Sequence, residues 1–302
     1  MKRNQLRAES WKLEANMNRL LIVLLVCAAF GLTPAAQIRA RPQRIISLVP
    51  ALTEMLFAVG AGPQVIAVSS FDEYPPEVKH LERVGALLDP NLERILSLRP
   101  DLVAVYGSQQ DLKTQLARAS IPVYSYRHAG LADITSTIRD IGERAGHATE
   151  ARAVVARIET QLASIKARVG AAHRPRTLLV FGREAGALRG IYASGGTGFL
   201  HDMLEAAGGD DVFADIKRES VQATTELILA RQPEVILEIR AAASETGNLA
   251  AETAVWHALA SVPAVRNNRI HFVIDPRMVV PGPRVAEATE LLARALHPDR
   301  FK

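Results

Sequence analysis

Aromatic and charged side chains follow several of the short β-branched runs in this chain: Phe71 with Tyr74, Tyr106, Arg127 with His128, Arg183, and Asp275 with Arg277. In an open α/β sheet such positions fall at the carboxyl ends of strands, where ligands bind. Aromatic walls carrying a few charges suit a large, partly apolar ligand that is also held by hydrogen bonds. Each residue has an ordinary reading beside this one. Phe71 and Tyr106 can be packing residues, Arg183 a surface ion pair and His128 a solvated loop residue, while Asp275 before Pro276 is a natural turn former.

Catalysis is harder to find. The eight histidines are scattered with no pair three or four residues apart, and Cys27 is the only cysteine, so no metal site and no cofactor is expected. Ser194-Gly195-Gly196-Thr197-Gly198 precedes a helical pattern and could cradle a phosphate on backbone N–H groups. It lacks the lysine and the full glycine spacing of a nucleotide loop, and a turn with a helix cap explains it. No Gly-x-Ser-x-Gly elbow occurs. An exported α/β enzyme remains as a reading that turnover of a bound ligand would revive.

The elements that must position these residues alternate in the manner of a parallel α/β fold. Strands are expected at 44–49, 65–69, 102–106 and 122–126, then at 177–181, 235–239 and 270–274, with a last helix near 284–296. Between the two sets, Ile134, Ile138, Ile141, Val154, Val155, Ile158, Leu162 and Ile165 recur at helical spacing, interrupted by Gly142 and Gly146. The pattern predicts one long helix or two nearly continuous ones. The expected layout is a first lobe at 44–130, a rigid connecting helix at 131–170 and a second lobe at 176–302, with a ligand cleft between two Rossmann-like lobes.

The halves look like copies. Residues 91–103 align without a gap on 224–236, with Glu, Ile, Leu and Pro coinciding, and Glu54 to Gly60 matches Asp202 to Gly208. Any helix-proline-strand unit would give part of this match, but two matches in the same order favour two related lobes. Glu93 and Glu226 become equivalent. Each opens a helix, where a carboxylate suits the helix dipole, and together they form a symmetric pair of charges suited to a two-fold partner.

At the N-terminus, Leu20 to Leu32 is an apolar run after Lys12 and Arg19, followed by Thr33-Pro34-Ala35-Ala36. It reads as a signal peptide over residues 1–36, with the true start possible at Met17, and is too short for an ordinary membrane span. Cys27 faintly matches a lipoprotein site, with a bulky Val26 against that role. Of the formal +4 charge, the leader holds Lys2, Arg3, Arg7, Lys12 and Arg19 against Glu9 and Glu14, so the mature chain is nearly neutral. Nucleic-acid binding is not expected.

The stretches Arg44 to Glu54, Val68 to Pro76 and Asn91 to Val103 carry Ser-x-x-Pro-x-x-Thr-Glu, Ser-Ser-x-x-x-Tyr-Pro-Pro and Asn-Leu-Glu-Arg-Ile. They resemble the helical-backbone family of metal-chelate receptors, which serve cobalamin, siderophore and haem importers, and the second motif leans towards the cobalamin branch. The resemblance implies a periplasmic or otherwise extracytoplasmic monomer that captures a corrinoid or iron chelate and docks on a two-subunit or homodimeric ABC permease. It places the docking pair at Glu93 and Glu226. A cleft tyrosine of the cobalamin branch falls at Phe71, its tryptophans at Tyr106, Leu87 and Ser220, and an aspartate at Asp275. Arg277 is taken for the arginine that follows, in a loop one residue longer here, and a cysteine pair of the second lobe is missing. Phe71 and Tyr106 are expected as opposing walls of the cleft. For an iron chelate or haem, Tyr106 and His128 would ligate iron while Arg127, Arg183 or Arg277 held carboxylates.

Overall fold

The computed structural model describes residues 41–127, 129–241 and 248–302. The expected leader, with Met17 and Cys27, and the expected ligand residue His128 lie outside the described residues.

In the first half, β1 (Ile45–Ser47), β2 (Val65–Val68), β3 (Glu82–Arg83), β4 (Leu102–Tyr106) and β5 (Val123–Tyr126) form a parallel sheet in the order β3-β2-β1-β4-β5. β1 and nearly all of β4 are buried, and their β-branched runs have the unbroken apolar character that a sheet covered on both faces requires. Helices α1 (Pro50–Ala58), α2 (Leu92–Ser97) and α3 (Gln110–Arg118) connect them. The middle holds α4 (Leu131–Ala145) and α5 (Ala148–Val169).

The second half repeats the plan. β6 (Arg176–Gly182), β10 (Val235–Arg240) and β11 (Ile270–Ile274) run parallel, and the short β8 (Asp210–Asp211) joins β6. Two short strands not expected from the sequence, β7 (Tyr192–Ser194) and β9 (Ser220–Gln222), extend this sheet in antiparallel fashion. Its helices are α6 (Phe199–Ala206), α7 (Thr225–Arg231), α8 (Leu249–Ala254), α9 (Pro263–Arg266) and α10 (Val285–Leu296).

Backbone conformation supports the internal repeat. Arg99 and Gln232, equivalent in the alignment, both adopt left-handed conformations (φ 48° and 49°) just before their prolines. Gly60 and Gly208 match likewise (φ 87° and 85°). Asn91 and Thr224 are equivalent N-caps whose side chains accept the N–H groups of Arg94 and Leu227.

The connector differs from a single rod over 131–170. Gly146 turns left-handed (φ 86°) after α4, and the chain then folds back. Arg139 of α4 reaches Glu159 of α5 at 2.8 Å, and Gly142 lies so close to Ala151 that a side chain there would collide. The two helices therefore form a packed hairpin. α4 lies on α1 of the first lobe and α5 on α10 of the second. One apolar core runs through both halves around this hairpin, including Leu52, Ile138, Ile158, Leu204 and Leu292, while each sheet keeps a smaller core on its other face.

Candidate functional site

Two adjoining cavities open where the strands of both sheets end. The larger, of 310 Å³, is lined by Phe181, Thr197, Gly198, Phe199, Leu200, Glu219, Ser220, Ile239, Met278 and Val279. The smaller, of 170 Å³, is lined by Pro50, Ala51, Tyr106, Tyr126, Phe199, Val279, Val280 and Pro281. They share Phe199 and Val279, so they form one cleft with a wall from each lobe.

On the first-lobe side, Tyr106 and Tyr126 are the last residues of β4 and β5 and stand opposite each other in the ladder. Their rings meet edge to face at 6.2 Å. The Tyr106 backbone N–H donates to Gln109 Oε1 (2.9 Å), while Gln109 Nε2 donates to the Leu87 carbonyl (3.0 Å). This one glutamine ties the loop bearing Leu87 to the end of β4. Burial, and then the Asp72 carboxylate, push the Tyr106 hydroxyl upward, so it stays a neutral phenol at ordinary pH. Burial likewise pushes Tyr126 up, with a further rise from Tyr106, Tyr124, Asp133 and Glu219.

Phe71 stands at the end of β2 on the same lobe as Tyr106, is 74% exposed and lines neither cavity. The expected opposition of Phe71 and Tyr106 is therefore corrected: Phe199 and Val279 of the second lobe line the cleft with Tyr106, and Phe71 is an exposed residue outside its lining. The loops are bridged at the backbone, Ser70 N–H to Gly85 O (2.9 Å), which brings the Phe71 segment beside the loop that carries Leu87. Leu87 is exposed as well and lines neither cavity. Ser220, at the start of β9, does line the larger cavity.

The arginines largely depart from expectation. Arg183 follows β6, but its side chain is 0% exposed and ion-paired with Glu238, itself 0% exposed, and with Glu252. Its remaining N–H groups donate to the carbonyls of Glu184, Ala187 and Glu252, and it lies 5.8 Å from the Trp256 ring centroid. With its donors consumed inside the lobe, it does not reach a ligand in the cleft. Arg277 forks onto both Asp275 oxygens (2.8 and 2.6 Å) and reaches Glu287 (2.8 Å), which holds the Asp275 carboxyl below its usual range. Asp275 and Arg277 thus satisfy each other. Together they brace the turn that projects Met278 and Val279 into the cleft. Arg127 is exposed, lies along Gly107 and lines a separate polar cavity of 450 Å³ with Tyr126, Asp133 and Asp140.

Sequence reasoning missed the second-lobe wall of Phe199, Met278 and Val279. The first follows the glycine run, which proves to be a turn: Gly195 and Gly196 lie so close to the carbonyls of Arg218 and Ala214 that no side chain fits. It also missed a cross-lobe cluster. Arg284 forks onto Glu54 of α1, and its guanidinium sits 3.8 Å from the centroid of Tyr74. Glu54 belongs to a motif quoted above, and an acid inside the otherwise uncharged stretch Pro50–Ala58 was the available signal.

Glu93 and Glu226 are both exposed in the first turns of α2 and α7. Its own backbone N–H and the Thr224 hydroxyl hold the Glu226 carboxyl below its usual range. Among the described residues no group of three or more histidine, cysteine or acidic side chains could hold a metal ion, and no helix is long and apolar enough to cross a membrane.

A family model described as periplasmic binding protein matches residues 45–277. Over 278 residues the chain is 30% identical to a vitamin B12-binding protein of Pectobacterium carotovorum, covering 91% of this chain and 96% of that relative. Over 274 residues it is 32% identical to an uncharacterized ABC transporter substrate-binding lipoprotein of Bacillus subtilis, covering 88% and 83%. Among solved structures, a periplasmic haem-binding protein from Roseiflexus in apo form superposes with a TM-score of 0.73 at 27% identity, covering 85% of this chain and 99% of that one. A periplasmic vitamin B12 binding protein of Vibrio cholerae shares the fold, with a TM-score of 0.71 at 24% identity and coverage of 87% and 99%. With a model matched from β1 to the turn after β11 and relatives aligned along most of their length, the chain belongs to the periplasmic binding protein family.

Proposed function

We propose that this chain is the substrate-binding protein of an ABC importer, active outside the cytoplasm, which captures cobalamin or a related corrinoid between its lobes and delivers it to a membrane permease. The observation that carries this reading is the interlobe cleft itself, walled by Tyr106, Tyr126, Phe181, Phe199, Met278 and Val279. A broad apolar slot with a few hydroxyls and a carboxylate suits a large macrocycle edged with amides. Relatives named vitamin B12-binding protein, matched along nine-tenths of the chain, support the same ligand class. Phe71, Leu87 and Ser220 then serve as rim and wall contacts around the macrocycle.

Haem is the second reading, favoured by the likeness to haem-binding proteins. One observation weighs against it: of the three arginines that could hold its carboxylates, Arg183 and Arg277 are committed to protein carboxylates, which leaves Arg127. An absorbance spectrum after incubation with cyanocobalamin, haemin or ferric siderophores, followed by desalting, tests the choice. Retained corrin bands are expected. A retained Soret band without corrin bands would move the protein to the haem class.

A further inference from the structure

We infer that Glu54 and Asp202 are a matched pair of positioning residues, each reaching across to the opposite lobe, and that the two clasps together hold the cleft at the spacing its ligand needs. The inference rests on the corrinoid reading above for the ligand, whereas the lobe spacing can be measured without it.

Three observations point this way. First, the two acids are equivalent in the internal repeat. Glu54 lies on α1 three residues after Ala51 and Asp202 on α6 three residues after Phe199, and both of those earlier residues line the cleft. The acids themselves line neither part of it and sit about one helical turn behind the wall. Second, their partners are equivalent too. Glu54 Oε2 accepts from Nε of Arg284, the N-cap residue of α10, at 2.8 Å. Asp202 Oδ2 accepts the backbone N–H of Leu131, the first residue of α4, at 2.8 Å. α4 follows β5 and α10 follows β11, the last strand of each lobe, so each acid holds the start of the corresponding helix across the cleft. Third, both seats are shaped for the acid. Gly130, the N-cap of α4, has no side chain to cap the helix, and an added Cβ there would collide with the Asp202 carboxylate, so the other lobe supplies the cap. At Gly282 an added Cβ would lie 3.3 Å from Glu54 Oε2.

Stability alone does not account for the first clasp. Burial raises the Glu54 carboxyl above its usual range in spite of the Arg284 guanidinium, so the pair does not repay its own desolvation, and geometry explains its place better. The geometry it fixes is that of the cleft. Arg284 ends the loop that carries Met278, Val279, Val280 and Pro281, and the Asp275 to Arg277 pair braces the beginning of that loop, so Glu54 holds this wall against the first lobe at its far end. Asp202 ties the start of α6, and with it Phe199, to the first lobe in the same way. Because both clasps act on one lobe spacing, either alone keeps most molecules in it. The binding-competent fraction falls steeply only when both are lost, and affinity falls with that fraction.

The test is a double-mutant cycle on Glu54→Gln and Asp202→Ala. It is read by cyanocobalamin titration and by the distance between spin labels at Gln115→Cys and Ser261→Cys, one exposed site per lobe, in a Cys27→Ser background. Thermal melts confirm folding, and Arg284→Gln opens the first clasp from its other side where Glu54→Gln does not fold. Each single variant is expected to weaken binding by about twofold or less and the double variant by about tenfold, the extra loss being the signature of a shared spacing. The ligand-free distance distribution should broaden in the double variant, while Asp202→Asn, which keeps an acceptor for the Leu131 N–H, should behave as the parent does. Parent-like distances in the double variant, or affinity losses that are absent or simply multiply, overturn the clasps and leave the corrinoid reading standing. A parent that retains no cyanocobalamin overturns the corrinoid reading, and the distances then decide the clasps alone: broadening in the double variant supports them and parent-like distances overturn them.

Discussion

Tyr106 and Arg183 both stand at the ends of strands, yet only Tyr106 borders the cleft. A strand-end position is visible in a sequence; the partner that captures a side chain is not. The partner here left one trace, since Glu238 is an acid inside the apolar run Val235 to Ile239 and a buried acid needs a cation. Removing that cation should be costly: Arg183→Met leaves Glu238 buried and unpaired, and urea unfolding is expected to show a loss of about 3–5 kcal/mol. Ligand affinity of the folded variant should stay near the parent's, because Arg183 lies away from the cleft. A loss of affinity with stability intact would restore Arg183 to the site. For Tyr106 the expectation is reversed. Tyr106→Ala should weaken corrinoid binding by about 2 kcal/mol, as loss of a buried aromatic contact does, and Phe71→Ala, at the exposed rim, should weaken it less. Titration of both variants gives the order, and parent-like affinity in Tyr106→Ala would show that the cleft is misplaced.

Secondary structure was far more legible than side-chain pairing, because strand and helix periodicity is written locally. The seven main strands and the last helix fall within a residue or two of their expected places, whereas β3, β7, β8 and β9 have only two or three residues each and no period to read. That shortness hid part of the site, since Ser220 begins β9. The connector was half legible: its glycines marked a break, but the fold-back depends on Gly142 meeting Ala151, a contact between elements. The repeat makes a quantitative comparison possible. Gly60 and Gly208 are equivalent and both left-handed, so Gly→Ala at either should cost about 1 kcal/mol from backbone strain alone. Around Gly60 the nearest atom to an added Cβ is His147 Nδ1 at an ordinary 3.5 Å. Around Gly208, Val169 Cγ1 and His297 Nε2 would lie at 2.5 and 2.7 Å, so these buried side chains, or the ends of α5 and α10 that bear them, must shift. Overpacking adds roughly 1–3 kcal/mol. Gly208→Ala should therefore destabilise clearly more than Gly60→Ala in paired urea titrations, and equal losses would mean that the second-lobe packing is looser than described.

Across the whole molecule, the shared core and the Arg284 to Glu54 pair tie the lobes together, leaving the ends of both lobes free to meet a partner. A helix that leads into a parallel strand runs back along its sheet, so the first turns of α2 and α7 lie at the level where strands finish, the same level as the cleft mouth. Each first turn presents an exposed glutamate, and three residues further each helix exposes an equivalent leucine, Leu96 and Leu229. We propose that this acid beside an apolar knob, repeated on two lobes, docks on paired permease subunits with basic pockets. The equivalence of the two glutamates was legible in the sequence, because they stand in matching places of a repeat and need no tertiary contact to be recognised. Exposed charges contribute little to folding, so Glu93→Lys with Glu226→Lys should leave the urea midpoint and corrinoid affinity close to the parent's. Delivery should nevertheless fail, since like charges facing one another at an interface cost several kcal/mol. The paired measurement is ligand titration beside uptake, or beside ligand-stimulated ATP hydrolysis by the reconstituted importer. Single variants should each lose part of the delivery, because one lobe still docks. Normal uptake with the double variant would remove the docking role from these glutamates, and a fall in ligand affinity with uptake lost in proportion would place them on the binding surface instead.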